Sequence, residues 1–97
     1  MGDSVAVQGR VTVENSGEMR TALANALRAK PATLSVDLSG VSYIDTSGLA
    51  TLVEADRIAD KQGTRLILSG LQEQPRYLFD ITHLDRLFDM AGQEATK

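Results

Sequence analysis

The apolar residues of this chain change their spacing at one point, Asp45-Thr46-Ser47-Gly48, and that change limits the fold more than any other feature. Before it, Leu34, Val36 and Leu38 alternate with polar residues, which puts them on one face of a strand. After it, Leu49, Leu52, Val53, Ile58 and Ala59 carry a helical stripe that Gly63 is placed to end. A strand therefore runs almost directly into a helix. Hydroxyl side chains occupy the helix start, where the first backbone N–H groups have no partner inside the helix.

The same spacing argument covers the rest of the chain. Val5 and Val7 alternate with small or polar residues, and Gly9-Arg10 is expected to turn them into Val11-Thr12-Val13, an antiparallel strand pair. Asn15 followed by Glu18 has capping-box spacing and opens a helix whose stripe is Met19, Ala22, Leu23, Ala26 and Leu27, with Pro31 as the stop. Ser39-Gly40 is expected to turn the chain between Leu34–Leu38 and Val41–Ile44. The unbroken Leu66-Ile67-Leu68 reads as a strand covered on both faces. Pro75 suits the first turn of a helix running through Leu78 and Ile81, and a short last helix from Leu84 to Met90 turns Leu87 and Phe88 inward.

Strand, helix, strand connections require parallel pairing, so the expected fold class is α/β: a small mixed β-sheet of about four to five strands with helices mainly on one face. One domain spans residues 4–90, and residues 91–97 (AGQEATK) are expected to form a mobile C-terminal tail.

Composition then narrows the chemistry. At 97 residues the chain can bury roughly 60 to 70 % of its unfolded surface and needs no staples. It has no cysteine, which excludes thiol catalysis, iron–sulfur clusters and cysteine-ligated zinc, and its one histidine, His83, excludes two-histidine metal motifs. A net charge of −3 argues against a nucleic-acid partner. No segment has the roughly 20 apolar residues of a membrane span. Met1-Gly2-Asp3-Ser4-Val5-Ala6 is neither a signal peptide nor a myristoylation site, since Ala6 stands where that site needs Ser or Thr. The chain is read as cytoplasmic, without cofactor, metal or direct membrane insertion, and as a binding module rather than an enzyme.

At the helix start, Thr46 or Ser47 serves as a cap, or a hydroxyl stays open to a visiting molecule; Gly48, a poor helix former, favours the second use. Asp45 either balances the helix end or orients the Ser47 hydroxyl. A serine hydrolase would need His83 beside Ser47, and Ser47 lacks the Gly-x-Ser-x-Gly elbow. His83 reads as a capping or half-buried residue, and Tyr43, Phe79 and Phe88 read as packing residues.

Five ordered features give the chain a specific resemblance over about residues 4–90: Gly9, Val36-Asp37-Leu38-Ser39-Gly40-Val41, Asp45-Thr46-Ser47-Gly48-Leu49, Gly63-Thr64-Arg65-Leu66-Ile67-Leu68, and Ile81-Thr82-His83-Leu84-Asp85-Arg86-Leu87-Phe88. In these it resembles the STAS family, the anti-sigma factor antagonists and their relatives. The resemblance implies that Ser47 is the phosphorylation site, supported by Asp45, Thr46 and Gly48. It implies that an anti-sigma factor serine kinase binds the chain when Ser47 is free and releases it when phosphorylated, with a phosphatase to reverse the change. Many relatives carry Gly-Glu-Leu-Asp where this chain has Gly9-Arg10-Val11-Thr12, so Arg10 and Thr12 alter the expected kinase contact. Ala50, Val53, Glu54 and Arg57, on the helix after Ser47, are the remaining candidates for partner binding. Asp45-Thr46 and Ala59-Asp60-Lys61-Gln62-Gly63 also resemble the cytoplasmic STAS subunits of phospholipid ABC transporters, which sit on the transporter ATPase.

Overall fold

The computed structural model describes residues 2–90. Three strands and three helices alternate along the chain: β1 (Gly2–Val11), α1 (Ser16–Arg28), β2 (Thr33–Ile44), α2 (Thr46–Gln62), β3 (Arg65–Ser69) and α3 (Glu73–Ile81). A 3-10 turn (Leu84–Arg86) and the two-residue strand β4 (Asp89–Met90) come last. The sheet order is β1-β2-β3-β4, and every pairing is parallel.

Two expected turns are absent. The opening antiparallel pair is one continuous strand, because Val11 goes on pairing with Ile44 of β2 and leaves nothing to fold back. Gly9 keeps the left-handed backbone of a turn residue (φ 87°), but spends it where the register with β2 slips between Gly9 and Arg10. The sheet is therefore parallel throughout the described residues rather than mixed. Ser39-Gly40 likewise falls inside β2, at a bulge, because the segments on either side both pair with β1.

One face of the sheet is the core. Leu34, Val36, Leu38, Val41 and Ile44 of β2 are buried together with Leu66 and Leu68 of β3. Met19, Leu23 and Leu27 of α1 are buried with them, as are Leu52, Ala55 and Ala59 of α2 and Phe79 of α3. Ala22 and Ile58, placed on the helical stripes by spacing alone, are exposed. On the opposite sheet face Ser4, Ala6 and Gln8 are exposed and Ser35 and Asp37 partly so. Ile67 is only partly buried, so the apolar run of β3 is not a strand covered on both faces.

Polar side chains finish the helix ends. Gly63 adopts φ 82° as the left-handed stop of α2. Gln62 Nε2 donates to the Leu27 carbonyl at 2.8 Å and to Thr64 Oγ1 at 2.9 Å, and Thr64 Oγ1 donates to the Pro31 carbonyl at 2.7 Å. The last helix is replaced by the 3-10 turn, because Asp89 and Met90 pair with Ile67 and Leu68 of β3 and hold the end of that segment extended, while a left-handed His83 (φ 61°) separates the turn from α3. His83 is exposed and makes no side-chain cap. Phe88 is buried, its ring centroid 5.5 Å from that of Phe79, whereas Leu87 and Ile81 face out. No helix among the described residues is long and apolar enough to cross a membrane. The expected tail, residues 91–97, lies outside the described residues.

Candidate functional site

The carboxyl ends of β1 and β2 lie side by side, and the site is built where both strands release the chain. Asp45, immediately after β2, donates its amide to the Val11 carbonyl at 3.0 Å. Its side chain caps α2: Oδ1 accepts from the amides of Ser47 (2.9 Å) and Gly48 (3.2 Å), two of the helix donors that lack internal partners. Oδ2 accepts from the Val13 amide at 3.0 Å, tying the β1–α1 loop to the same carboxylate. The cap is therefore Asp45, not Thr46 or Ser47; its extended backbone and short carboxylate suit that place, one residue earlier than the hydroxyls.

The Ser47 hydroxyl donates to Asp45 Oδ1 at 2.6 Å. That bond, with the Gly48, Val13 and Ser47 amides after it, holds the Asp45 carboxyl below the usual carboxylate range, against the opposing push of partial desolvation. Thr46 is exposed at the first helical position and Ser47 is partly buried. Thr51 Oγ1 donates to the Ser47 carbonyl at 3.0 Å from the next turn.

Gly48 has a different reason from the one its poor helix propensity suggests. A Cβ at this position would lie 2.5 Å from Ile44 Cγ1 and 2.9 Å from Val11 Cγ1. The first turn of α2 packs straight onto the ends of β1 and β2, and only glycine fits. Packing, not openness around Ser47, selects it.

The expected capping box is rearranged as well. Asn15 precedes α1 but makes no cap bond with its side chain. It braces its own loop instead: Oδ1 accepts from the Thr12 amide at 2.8 Å and Nδ2 donates to the Arg10 carbonyl at 2.8 Å. Thr12 serves this loop through its carbonyl, which accepts from the Asn15 and Ser16 amides. The Arg10 guanidinium stacks 4.4 Å over the Tyr43 ring on the neighbouring strand.

Spacing alone could not have found two contributors, the Val13 amide and Gln74 of α3. Gln74 Oε1 accepts from the Ile44 amide at 2.9 Å and Nε2 donates to the Ile44 carbonyl at 3.1 Å. The side-chain amide thus stands in for a missing strand beside the residue that precedes Asp45. Ala50, Glu54 and Arg57 are exposed and Val53 is partly buried. All four line a shallow groove of about 580 Å³ with Leu49, Ile58, Lys61 and Leu84. Glu54 also meets Arg20 of α1 at 3.6 Å. Among the described residues no group of acidic or histidine side chains could hold a metal ion.

The family model described as "Mlab, STAS domain" matches residues 2–90. The chain belongs to the STAS domain family. It is 34% identical over 89 residues to the anti-sigma-B factor antagonist of Bacillus subtilis (strain 168), covering 92% of this chain and 81% of that protein. Among solved structures, an anti-sigma factor antagonist from Mycobacterium paratuberculosis superposes with a TM-score of 0.77 at 21% identity, over 94% of this chain and 77% of the other. A sulfate transporter family protein from Wolinella succinogenes also gives 0.77, at 19% identity over 93% of this chain and 78% of its own. At these identities the structural likenesses establish the STAS fold and no more.

Proposed function

We propose that this STAS domain is an anti-sigma factor antagonist, a cytoplasmic binding module and not an enzyme. In this reading it holds an anti-sigma factor serine kinase while Ser47 is free and releases it once Ser47 is phosphorylated. The observation that carries the reading is the Ser47 hydroxyl, 2.6 Å from a carboxylate at the start of a seventeen-residue helix. The kinase supplies nucleotide, metal and base, and a phosphatase returns the chain to its binding form.

The physics favours a binding switch over an unfolding switch. Phosphorylation adds about −1.5 to −2 charges. The N-terminus of α2 favours an anion by about 0.3–1 kcal/mol, while Asp45 repels it, so the two effects on the fold oppose each other. An apolar or acidic partner surface docked on Ser47 has no such compensation. A loss of about 3 kcal/mol there weakens binding roughly 100-fold. The groove along Ala50, Val53, Glu54 and Arg57 begins within one turn of Ser47 and extends the docking face, and Arg10 and Thr12, at the end of β1, are further candidates for the kinase contact.

The second reading, a STAS subunit bound to the ATPase of a transporter, rests on the resemblance of Asp45-Thr46 and Ala59-Asp60-Lys61-Gln62-Gly63 to such subunits. Affinity capture with wild type, Ser47→Ala and Ser47→Asp separates the two. The switch predicts a serine kinase on the first two baits and not the third. A transporter ATPase on all three baits overturns it.

A further inference from the structure

The tetrapeptide Asp-x-Ser-Gly occurs twice, at 37–40 and at 45–48. Each copy comes directly after a fully buried β-branched residue, Val36 or Ile44. In each, the aspartate Oδ1 accepts the amide of the serine two residues on, at 2.9 Å in both cases. The aspartate-to-serine amide bond that frames Ser47 is thus made a second time at Ser39, inside a strand rather than at a helix start.

Ser39 is the more accessible of the two, exposed where Ser47 is partly buried. The register with β1 passes from Ala6↔Asp37 to Gln8↔Gly40, so two residues of β2 oppose one of β1. Pairing with β3 ends at Asp37↔Ser69. Leu38 and Ser39 therefore have no ladder partner on either side. The Ser39 amide is held by Asp37, and its carbonyl accepts from Gln72 Nε2 at 2.7 Å. An enzyme can draw this hydroxyl into its own site without opening a strand pair.

We propose that Ser39 is a second phosphoacceptor, modified by a nucleoside-triphosphate-dependent serine kinase that reads the Asp-x-Ser-Gly turn. Ser39 Oγ attacks the γ-phosphorus, the bond from that phosphorus to the bridging β-phosphate oxygen breaks, and the nucleoside diphosphate leaves. The hydroxyl proton passes to the catalytic base of the kinase. The proposal rests on the Ser47 reading for the segment the enzyme recognises, and the test below separates the failure of one from the failure of the other.

The consequence differs from that at Ser47. β2 continues past Ser39, so the new charge does not sit in the first turn of a helix as it does at Ser47, and Asp37 lies two residues away. The loop between β3 and α3 crowds the serine as well: a Cβ built on Gly70 would lie 2.7 Å from Ser39 Cβ. A phosphoryl group displaces the Gln72 contact at the start of α3.

The test incubates the full chain as wild type, Ser39→Ala, Ser47→Ala and the double variant with radiolabelled ATP, magnesium and clarified lysate of the native host. Label retained in Ser47→Ala and lost in the double variant supports the proposal. Label in wild type and Ser39→Ala but none in Ser47→Ala overturns it and leaves the Ser47 reading intact. Label in Ser47→Ala with none in Ser39→Ala supports it while overturning the Ser47 reading, and no label in any variant overturns both. Because Pro31 blocks tryptic cleavage after Lys30, residues 29–57 form one tryptic peptide carrying both serines. Cleavage before Asp45 separates them, and the site is read directly on the wild-type chain.

Discussion

The two Asp-x-Ser-Gly segments differ at one internal residue and begin eight positions apart, yet one becomes a bulge inside a strand and the other the start of a helix. Their first step is shared: in both, the aspartate captures the serine amide. The residues beyond each glycine decide the outcome. After Gly40 the chain stays extended because Val41, Tyr43 and Ile44 pair with Gly9, Arg10 and Val11 of β1, whereas after Gly48 the buried positions Leu49, Leu52, Ala55 and Ala59 recur at helical steps. Only at Asp45 does a second amide of the same chain, that of Gly48, reach the carboxylate and nucleate a helix. A short motif fixes one hydrogen bond, and the partner the chain finds beyond it, a neighbouring strand or its own helical turns, fixes the element.

The fourth residue of each segment gives the largest expected difference. Gly48→Ala forces a methyl group to 2.5 Å from Ile44 Cγ1 and 2.9 Å from Val11 Cγ1, both in the core. Overpacking of this kind costs about 1–3 kcal/mol, and each kcal/mol lowers the melting temperature of a domain this size by about 4–8 °C. At Gly40 a new Cβ would meet Gln8 Cγ at 3.0 Å, part of an exposed, flexible side chain that can move aside. Thermal melts should show Gly48→Ala strongly destabilised and Gly40→Ala within about 0.5 kcal/mol of wild type. Equal losses would mean that the two glycines serve one purpose, and the packing account of Gly48 would fail.

How much of this is legible in the sequence depends on the range of each interaction. The three long helices, the order of strands and the place of Ser47 at a helix start are local consequences of spacing, and the chain shows them. Gly9 and Ser39-Gly40 read as turns because their residue types suit turns. Whether a turn residue reverses the chain or makes a bulge depends on whether the strand beyond it still has a partner. That partner, β2 for Val11 and β1 for Val41, lies about thirty residues away, beyond the reach of any local pattern. The same holds at the site: Asp45 as cap is within reach of helix-capping chemistry, but the Val13 amide and Gln74 arrive from 32 and 30 residues away.

Gln72 and Gln74 carry the comparison into α3, since each serves one segment. Gln74 makes two partly buried bonds to Ile44, in front of Asp45, and Gln72 makes one exposed bond to Ser39. Gln74→Ala leaves a buried amide and carbonyl without partners and should cost about 1–2 kcal/mol, against about 0.5 kcal/mol for Gln72→Ala. Hydrogen exchange at the Ile44 amide reads the difference locally: faster in Gln74→Ala, unchanged in Gln72→Ala. Unchanged exchange in both would remove Gln74 from the frame of the site.

The smallest effect separates the two carboxylates. Both are held below the usual range, so the folded chain binds fewer protons in acid than the unfolded chain does. The stability each contributes is fully present above the unfolded value, about 3.9, and is lost as pH falls through the lower folded value. The leading cause differs between them: at Asp45 it is the Ser47 hydroxyl, at Asp37 the Ser39 amide, with the Ser39 hydroxyl second. Removing a hydroxyl while keeping the amide should therefore act unequally. Ser47→Ala should raise the Asp45 titration toward the ordinary value and flatten the acid limb of the melting curve, while Ser39→Ala should shift Asp37 less. Carboxyl-carbon chemical shifts tracked from about pH 6 downward would measure both groups in one sample. An equal or larger shift at Asp37 would show that the two turns hold their serine hydroxyls alike, and the chemical distinction between Ser47 and Ser39 would have to rest on burial and the helix alone.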